Sequence, residues 1–101
     1  MATAFEAIVE DIRAERARQD ARFGKQMHPN GTSVKYKPLA DSARNATRKA
    51  ELEGQQTWFN ITREEFWESM AETDPAALRA ELIQLISVGV AWVECIDEQN
   101  A

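Results

Sequence analysis

Leu82-Ile83-Gln84-Leu85-Ile86-Ser87-Val88-Gly89-Val90-Ala91-Trp92-Val93 is the stretch that decides the fold of this 101-residue chain. It lies in a predicted helix from Pro75 to about Glu98, where Asp74 supplies the cap and proline takes the first helical position. One apolar stripe at helical spacing consists of Leu78, Leu82, Leu85, Gly89, Trp92 and Ile96, and a second consists of Ile83, Ile86, Val90 and Val93. Because the middle of this helix is apolar nearly all round, we expect it to be central and buried. Gly89 would permit close approach of another backbone, within the fold or across a dimer.

Three further helices are predicted upstream, and no strand-like alternation appears. The first runs over residues 5–23 and stops at Gly24, and the second runs from residue 38 or 39 to 53 and is closed by Gly54. The third begins at Thr62, with Glu65 as its capping-box partner, and ends near Glu72. Trp58 and Phe59 fall in the connection before it. The sequence thus predicts an all-α bundle of about four helices, with residues 1–101 as one domain and residues 25–37 as its only substantial loop.

Composition limits the class of protein. The chain has a single cysteine, Cys95, so no internal disulfide forms, and we expect a reducing, cytoplasmic location. No basic segment followed by an apolar run opens the chain, and Leu82–Val93 is too short to cross a bilayer, so no membrane association is predicted. A domain this small buries a modest share of its surface, which favours a homo-oligomer, a dimer or a tetramer.

Charge is unevenly distributed along the chain. Residues 1–50 carry ten Lys or Arg against six Asp or Glu, whereas residues 51–101 carry two against eleven. An acidic metal site facing a basic phosphate-binding surface would have this pattern, and so would oppositely charged helices that pack side by side. The net charge of −5 argues against nucleic acid as the main partner.

Acidic residues recur at helical spacing on the last two predicted helices. Glu65 and Glu68 are three residues apart, which places both carboxylates on one face, and Glu81 and Gln84 repeat the spacing on the next helix. The tight turn at Asp74-Pro75 predicts that these helices are antiparallel neighbours. Four oxygen-bearing side chains would then face one groove, and oxygen ligands of this kind suit Mg²⁺.

The pattern Glu64-Glu65-Phe66-Trp67-Glu68, twelve residues, then Glu81-Leu82-Ile83-Gln84 resembles the motif of the all-α nucleotide pyrophosphohydrolases, the MazG and dimeric dUTPase group. The resemblance covers residues 58–97. The segment Glu15 to Pro29 also resembles a group of small bacterial and phage-encoded proteins related to that family. The resemblance implies Mg²⁺-dependent (or Mn²⁺-dependent) cleavage of a nucleoside triphosphate to the monophosphate and pyrophosphate.

Carried over to this chain, the resemblance implies that Glu65, Glu68 and Glu81 are metal ligands. The fourth ligand position holds Gln84 where the family has aspartate. An amide oxygen can coordinate a cation, but it adds no negative charge and cannot act as a base, which weakens metal binding and places turnover in question. No catalytic base is assigned.

Each candidate has a structural alternative. Glu65 as the capping-box partner of Thr62, Glu68 on a solvated face and Gln84 bonded across a helix interface would all be ordinary features of a helical protein. Trp58 is the candidate for stacking on a base, and Arg22 and Lys25 are candidates for phosphate contacts. His28 is interpreted as a loop residue.

Three functions remain open at this point. The chain is a nucleotide pyrophosphohydrolase, or a nucleotide-binding relative without turnover, or a non-catalytic helical interaction module. The last would be phage-encoded and would act on a host protein.

Overall fold

The computed structural model describes residues Met1–Ala101 and contains only helices and connections. The four α-helices are α1 (Ala4–Phe23), α2 (Lys37–Leu52), α3 (Trp58–Met70) and α4 (Pro75–Gln99), and a short 3-10 turn covers Val34–Tyr36. The predicted all-α class and the number of helices are confirmed. The assignment of residues 1–101 to one domain stays a prediction.

The chain forms two compact units, of which the central unit (residues 31–89) contains the predicted metal ligands. Helices α2 and α3 make the main helix–helix contact within it. The hydroxyl of Thr47, 5% exposed, donates to the backbone oxygens of Ala43 at 2.9 Å and Asn60 at 3.0 Å, which joins α2 to α3. Ser69 is completely buried and donates to the oxygen of Glu65. Small side chains therefore allow the close contact in this unit.

The terminal unit consists of residues 1–30 and 90–101. A capping box between Thr3 and Glu6 begins α1, and Gly24, at φ 65°, follows its last residue as predicted. Beyond Ile8, the polar residues of α1 form ion pairs along the helix: Arg13 with Glu10, Arg16 with Asp20 and Arg18 with Glu15. These exposed pairs contribute little to stability.

The predicted start of α3 is wrong by five residues. Thr57, not Thr62, is the N-cap: its hydroxyl accepts from the backbone N–H of Asn60, whose side chain accepts from the N–H of Thr57. Trp58 is consequently the first residue of α3 and not part of a connection. Asparagine at the third helical position takes the role that the sequence assigned to Glu65. The carboxylate of Glu65 is thus not used for capping.

The predicted burial of α4 is also wrong for the single chain. Asp74 caps the helix as expected, through its carboxylate and the N–H of Ala77 at 2.9 Å. Only Leu78 is buried, however, and four large apolar side chains of α4 are 40–55% exposed: Ile83, Ile86, Val93 and Ile96. Most of the apolar surface of α4 is therefore left uncovered within the single chain.

Helix α4 is long and apolar enough to cross a membrane, by its length and composition alone. It has 25 residues, and its most apolar window has a mean hydropathy of 1.5. The core helices of soluble proteins can have the same length and composition, so the expectation of a cytoplasmic protein without membrane association stays a prediction.

Candidate metal centre

Three glutamates meet between α3 and α4 in the central unit. Glu65 and Glu68 lie one turn apart on α3, and Glu81 lies in the second turn of α4. One carboxylate oxygen of each residue lies within 4.8 Å of the others, and all three side chains are partly buried. The structure therefore brings together the three carboxylates that the sequence nominated.

The negative charge of the three carboxylates is only partly compensated by other groups of the fold. Burial, together with the negative charge of Glu68, raises the pKa of the Glu65 carboxyl, and the same two causes raise the pKa of Glu81. Glu65 Oε2 and Glu81 Oε2 are both buried without a hydrogen-bond partner. Buried carboxylate oxygens without a donor are costly, and a divalent cation is one group that would satisfy them.

Arg44 of α2 supplies the positive charge nearest to the cluster. Its Nη2 lies 3.2 Å from Glu68 Oε1, its Nε lies 3.9 Å from Glu64 Oε1 and its Nη1 lies 3.2 Å from Asp41 Oδ1. The hydrogen bond to Glu68 raises the pKa of the guanidinium. Glu68 is therefore held in place by a cation and is not on a solvated face.

A cavity of about 270 Å³ opens beside the cluster. Its charged lining has both signs, with four carboxylates and two cationic groups: Asp41, Glu68, Glu72 and Glu81, and Lys37 and Arg44. Val34, from the 3-10 turn, also lines the cavity. An anionic ligand that carries a cation would meet charges of both signs in this lining.

The sequence interpretation assigned no role to Lys37 or Arg44. The spacing of charged residues in α2 is a sequence pattern that could have indicated a shared site. Lys37, Asp41 and Arg44 follow one another at spacings of four and three residues, which places all three on one helical face. What the sequence does not reveal is that this face is turned towards the acidic residues of α3.

The remaining predicted site residues are placed as follows. Gln84 is exposed on α4, one turn beyond Glu81, and its role as a fourth ligand stays a prediction. Trp58 is half-buried at the start of α3 in the same unit. Arg22 and Lys25 are exposed and belong to the terminal unit, where the Arg22 guanidinium lies over the Phe23 ring at 5.0 Å. Their proposed nucleotide contacts are untested.

Comparisons with protein families, with curated proteins and with solved structures find no match for this chain. The resemblance to MazG-like enzymes is thus carried by the motif alone.

Proposed function

We propose that this chain is a divalent-cation-dependent nucleotide pyrophosphohydrolase of the MazG-like type, or a relative that binds nucleotides without turnover. Glu65, Glu68 and Glu81 would hold Mg²⁺ or Mn²⁺. The observation that carries the proposal is the convergence of these three carboxylates, with oxygens within 4.8 Å of one another, on two different helices.

The residues present fit a hard divalent cation. The donors are carboxylate oxygens, which Mg²⁺ prefers, and two of them have no other partner in the fold. The raised pKa of Glu65 and of Glu81 is in keeping with a site in which negative charge exceeds positive charge. When bound, the cation would neutralise charge on the phosphates of the substrate.

The other residues of the cavity have roles that follow from their charge. Arg44 offsets part of the negative charge of Glu68 through the hydrogen bond between them, and Lys37 on the same lining offers an ammonium group to a phosphate oxygen. Water adds at the α-phosphorus, the bond to the oxygen that bridges to the β-phosphorus breaks, and the monophosphate, pyrophosphate and a proton are released. No residue is assigned as the base for this step.

The test combines metal titration with an activity assay. Isothermal titration of Mg²⁺ and of Mn²⁺ is followed by pyrophosphate release from a panel of nucleoside triphosphates, with and without a chelator. We expect Glu68→Gln and Glu81→Gln each to weaken cation binding about tenfold or more. Glu53→Gln, on an exposed residue after α2, is the matched control. An absence of both cation binding and pyrophosphate release would refute the proposal.

A substitution at Gln84 distinguishes an enzyme from a relative that only binds nucleotides. If nucleotide and cation bind without release of pyrophosphate, the chain is the non-catalytic relative. In that case Gln84→Asp is expected to tighten cation binding, because it restores the fourth negative charge.

A second candidate function is favoured by the exposed apolar face of α4. Ile83 and Ile86 are 48% and 55% exposed, a feature typical of a surface that binds another protein. A non-catalytic interaction module, phage-encoded and directed at a host protein, would use such a surface. A defined partner, captured independently of nucleotide and cation, would support it.

A further inference from the structure

The second apolar stripe of α4 has no partner within the chain. Ile83, Ile86 and Val93 are 48%, 55% and 40% exposed, and Val90 between them is half-buried. Beside the stripe, a Cβ added at Gly89 would meet no atom within 4 Å. The close backbone approach that this glycine permits is therefore not made by any other part of the chain.

The stripe is symmetric about Val88. Ile86 and Val90 lie two residues before and after it, Ile83 and Val93 lie five before and after, and Arg79 and Asp97 lie nine before and after. If two such helices run antiparallel, each residue meets its symmetric counterpart on the other helix. Apolar residues then meet apolar residues, and the single basic residue of α4 meets an acidic residue at both ends.

The dipole of α4 gives a further reason for the antiparallel pairing of these two charged residues. Asp97 lies in the last turn of α4, where a negative charge is unfavourably placed with respect to the helix dipole, and Arg79 lies in the second turn. Both side chains are exposed, and neither forms an ion pair within the chain. An antiparallel partner reverses the situation, because Arg79 then lies beside the carboxyl end of the second helix.

We propose that two copies of this chain form a symmetric dimer in which α4 packs antiparallel against α4 of the second copy, centred on Val88. The stripe advances by alternating steps of three and four residues, as in helices that pack along a shallow crossing angle. The same patch serves both copies, which makes the interface closed and isologous. This inference does not depend on the proposed nucleotide chemistry, and it assigns to a second copy the face that the interaction module would use.

A membrane fits the same face less well. The part of α4 without charged residues, Leu82–Val93, is about 18 Å long at 1.5 Å per residue, whereas a hydrocarbon core is ~30 Å thick. Arg79 and Glu81 would also enter the bilayer if the whole helix crossed it. A second copy covers the apolar stripe and leaves these charges at its ends.

Charge reversal tests the pairing in solution. Sedimentation equilibrium is expected to give a dimer for the native chain. The dissociation constant of the dimer is expected to be about tenfold higher for Arg79→Glu and for Asp97→Arg, and to return to the native value in the double variant. Lys49→Glu, an exposed lysine of α2 with the same change of charge, is expected to leave dimerisation unchanged. Far-ultraviolet circular dichroism verifies that each variant is folded.

Orientation is measured with a spin label on Cys95, the only cysteine. In the antiparallel pair the two labelled positions are separated by about 21 Å along the helix axis, whereas in a parallel pair they lie side by side. Ile86→Asp is expected to abolish the dimer. The proposal is overturned if the chain is a monomer at all concentrations, or if the distance between the two labels is that of a parallel pair. It is also overturned if Arg79→Glu does not change the dissociation constant, or if the chain binds phosphatidylcholine–phosphatidylglycerol vesicles and forms no soluble dimer.

Discussion

Arg44 Nη2 donates a hydrogen bond of 3.2 Å to Glu68 Oε1, so the three-glutamate cluster of α3 and α4 is connected to α2 by a guanidinium group. The same side chain lies near Glu64 and Asp41. One arginine therefore offsets part of the negative charge of the cluster and competes with any cation that binds there.

Removing this guanidinium is expected to have opposite effects on stability and on metal binding. Arg44→Ala is expected to lower the free energy of unfolding of the metal-free protein by about 1 kcal/mol, because the hydrogen bond to a charged partner is lost in a partly exposed setting. It is expected to tighten Mn²⁺ binding severalfold, because a nearby positive charge is removed. Urea unfolding and isothermal titration measure the two effects. Arg48→Ala, one turn further along α2, is the control, and weaker Mn²⁺ binding by Arg44→Ala would contradict the expectation.

The pH dependence of stability follows from the raised carboxyl pKa values. Because the folded state raises the pKa of Glu65 and of Glu81, it binds protons more tightly than the unfolded state does. Their contribution to stability is present where they are protonated and is lost as pH rises through their folded-state pKa. Without divalent cation, stability is thus expected to fall as pH increases from the ordinary carboxyl value of 4.5 towards neutrality.

Neutral variants at these positions are expected to remove that trend. At pH 7, Glu65→Gln and Glu81→Gln should each stabilise the metal-free protein by about 0.5 kcal/mol, since like-charge repulsion is removed. Addition of Mg²⁺ should stabilise the native chain but not these variants. Thermal unfolding with and without Mg²⁺ at two pH values measures both effects, and a destabilised, metal-responsive Glu81→Gln would argue against the cluster as a cation site.

The two threonines near the start of α3 give a direct test of where the helix begins. Thr57→Ala removes the side-chain acceptor for the N–H of Asn60 and is expected to cost about 1 kcal/mol. Thr62→Ala is expected to cost less, because Thr62 lies inside the helix and its buried hydroxyl has no hydrogen-bond partner. The free energies of unfolding of the two variants, measured with urea, show which threonine is the N-cap. A larger loss of stability for Thr62→Ala than for Thr57→Ala would contradict the observed cap.

Thr47 is expected to be the most sensitive polar residue of the α2–α3 contact. Thr47→Val keeps the shape of the side chain but removes a buried hydroxyl that donates to two backbone oxygens, which is expected to cost about 1–2 kcal/mol. Ser42→Ala, on an exposed residue of the same helix, is expected to change stability by less than about 0.5 kcal/mol. Equal effects of the two substitutions would show that the hydroxyl of Thr47 is not important.

Local signals explain which features the sequence could predict. The cap at Asp74 with Pro75 and the stop at Gly24 depend on residues close in the chain, and both were confirmed. The start of α3 was wrong because two threonines five residues apart compete as caps, and Asn60 is a less familiar partner than Glu65. Features that need tertiary information were harder to predict: the burial of α4 was overestimated, and the contribution of Arg44 was not seen.

One backbone hydrogen bond has a consequence for how this cavity can change during evolution. The N–H of Ser33 donates to the carbonyl oxygen of Met70 at 2.9 Å, so the segment before α2 is attached to the end of α3 through main-chain atoms. Val34, which lines the cavity, is positioned by that attachment and is itself 71% exposed. Because no side chain makes the bond, substitutions at Val34 can alter what the cavity admits while the fold is retained. Substitution at residue 34 would therefore change the lining of the cavity while the three glutamates stay unchanged.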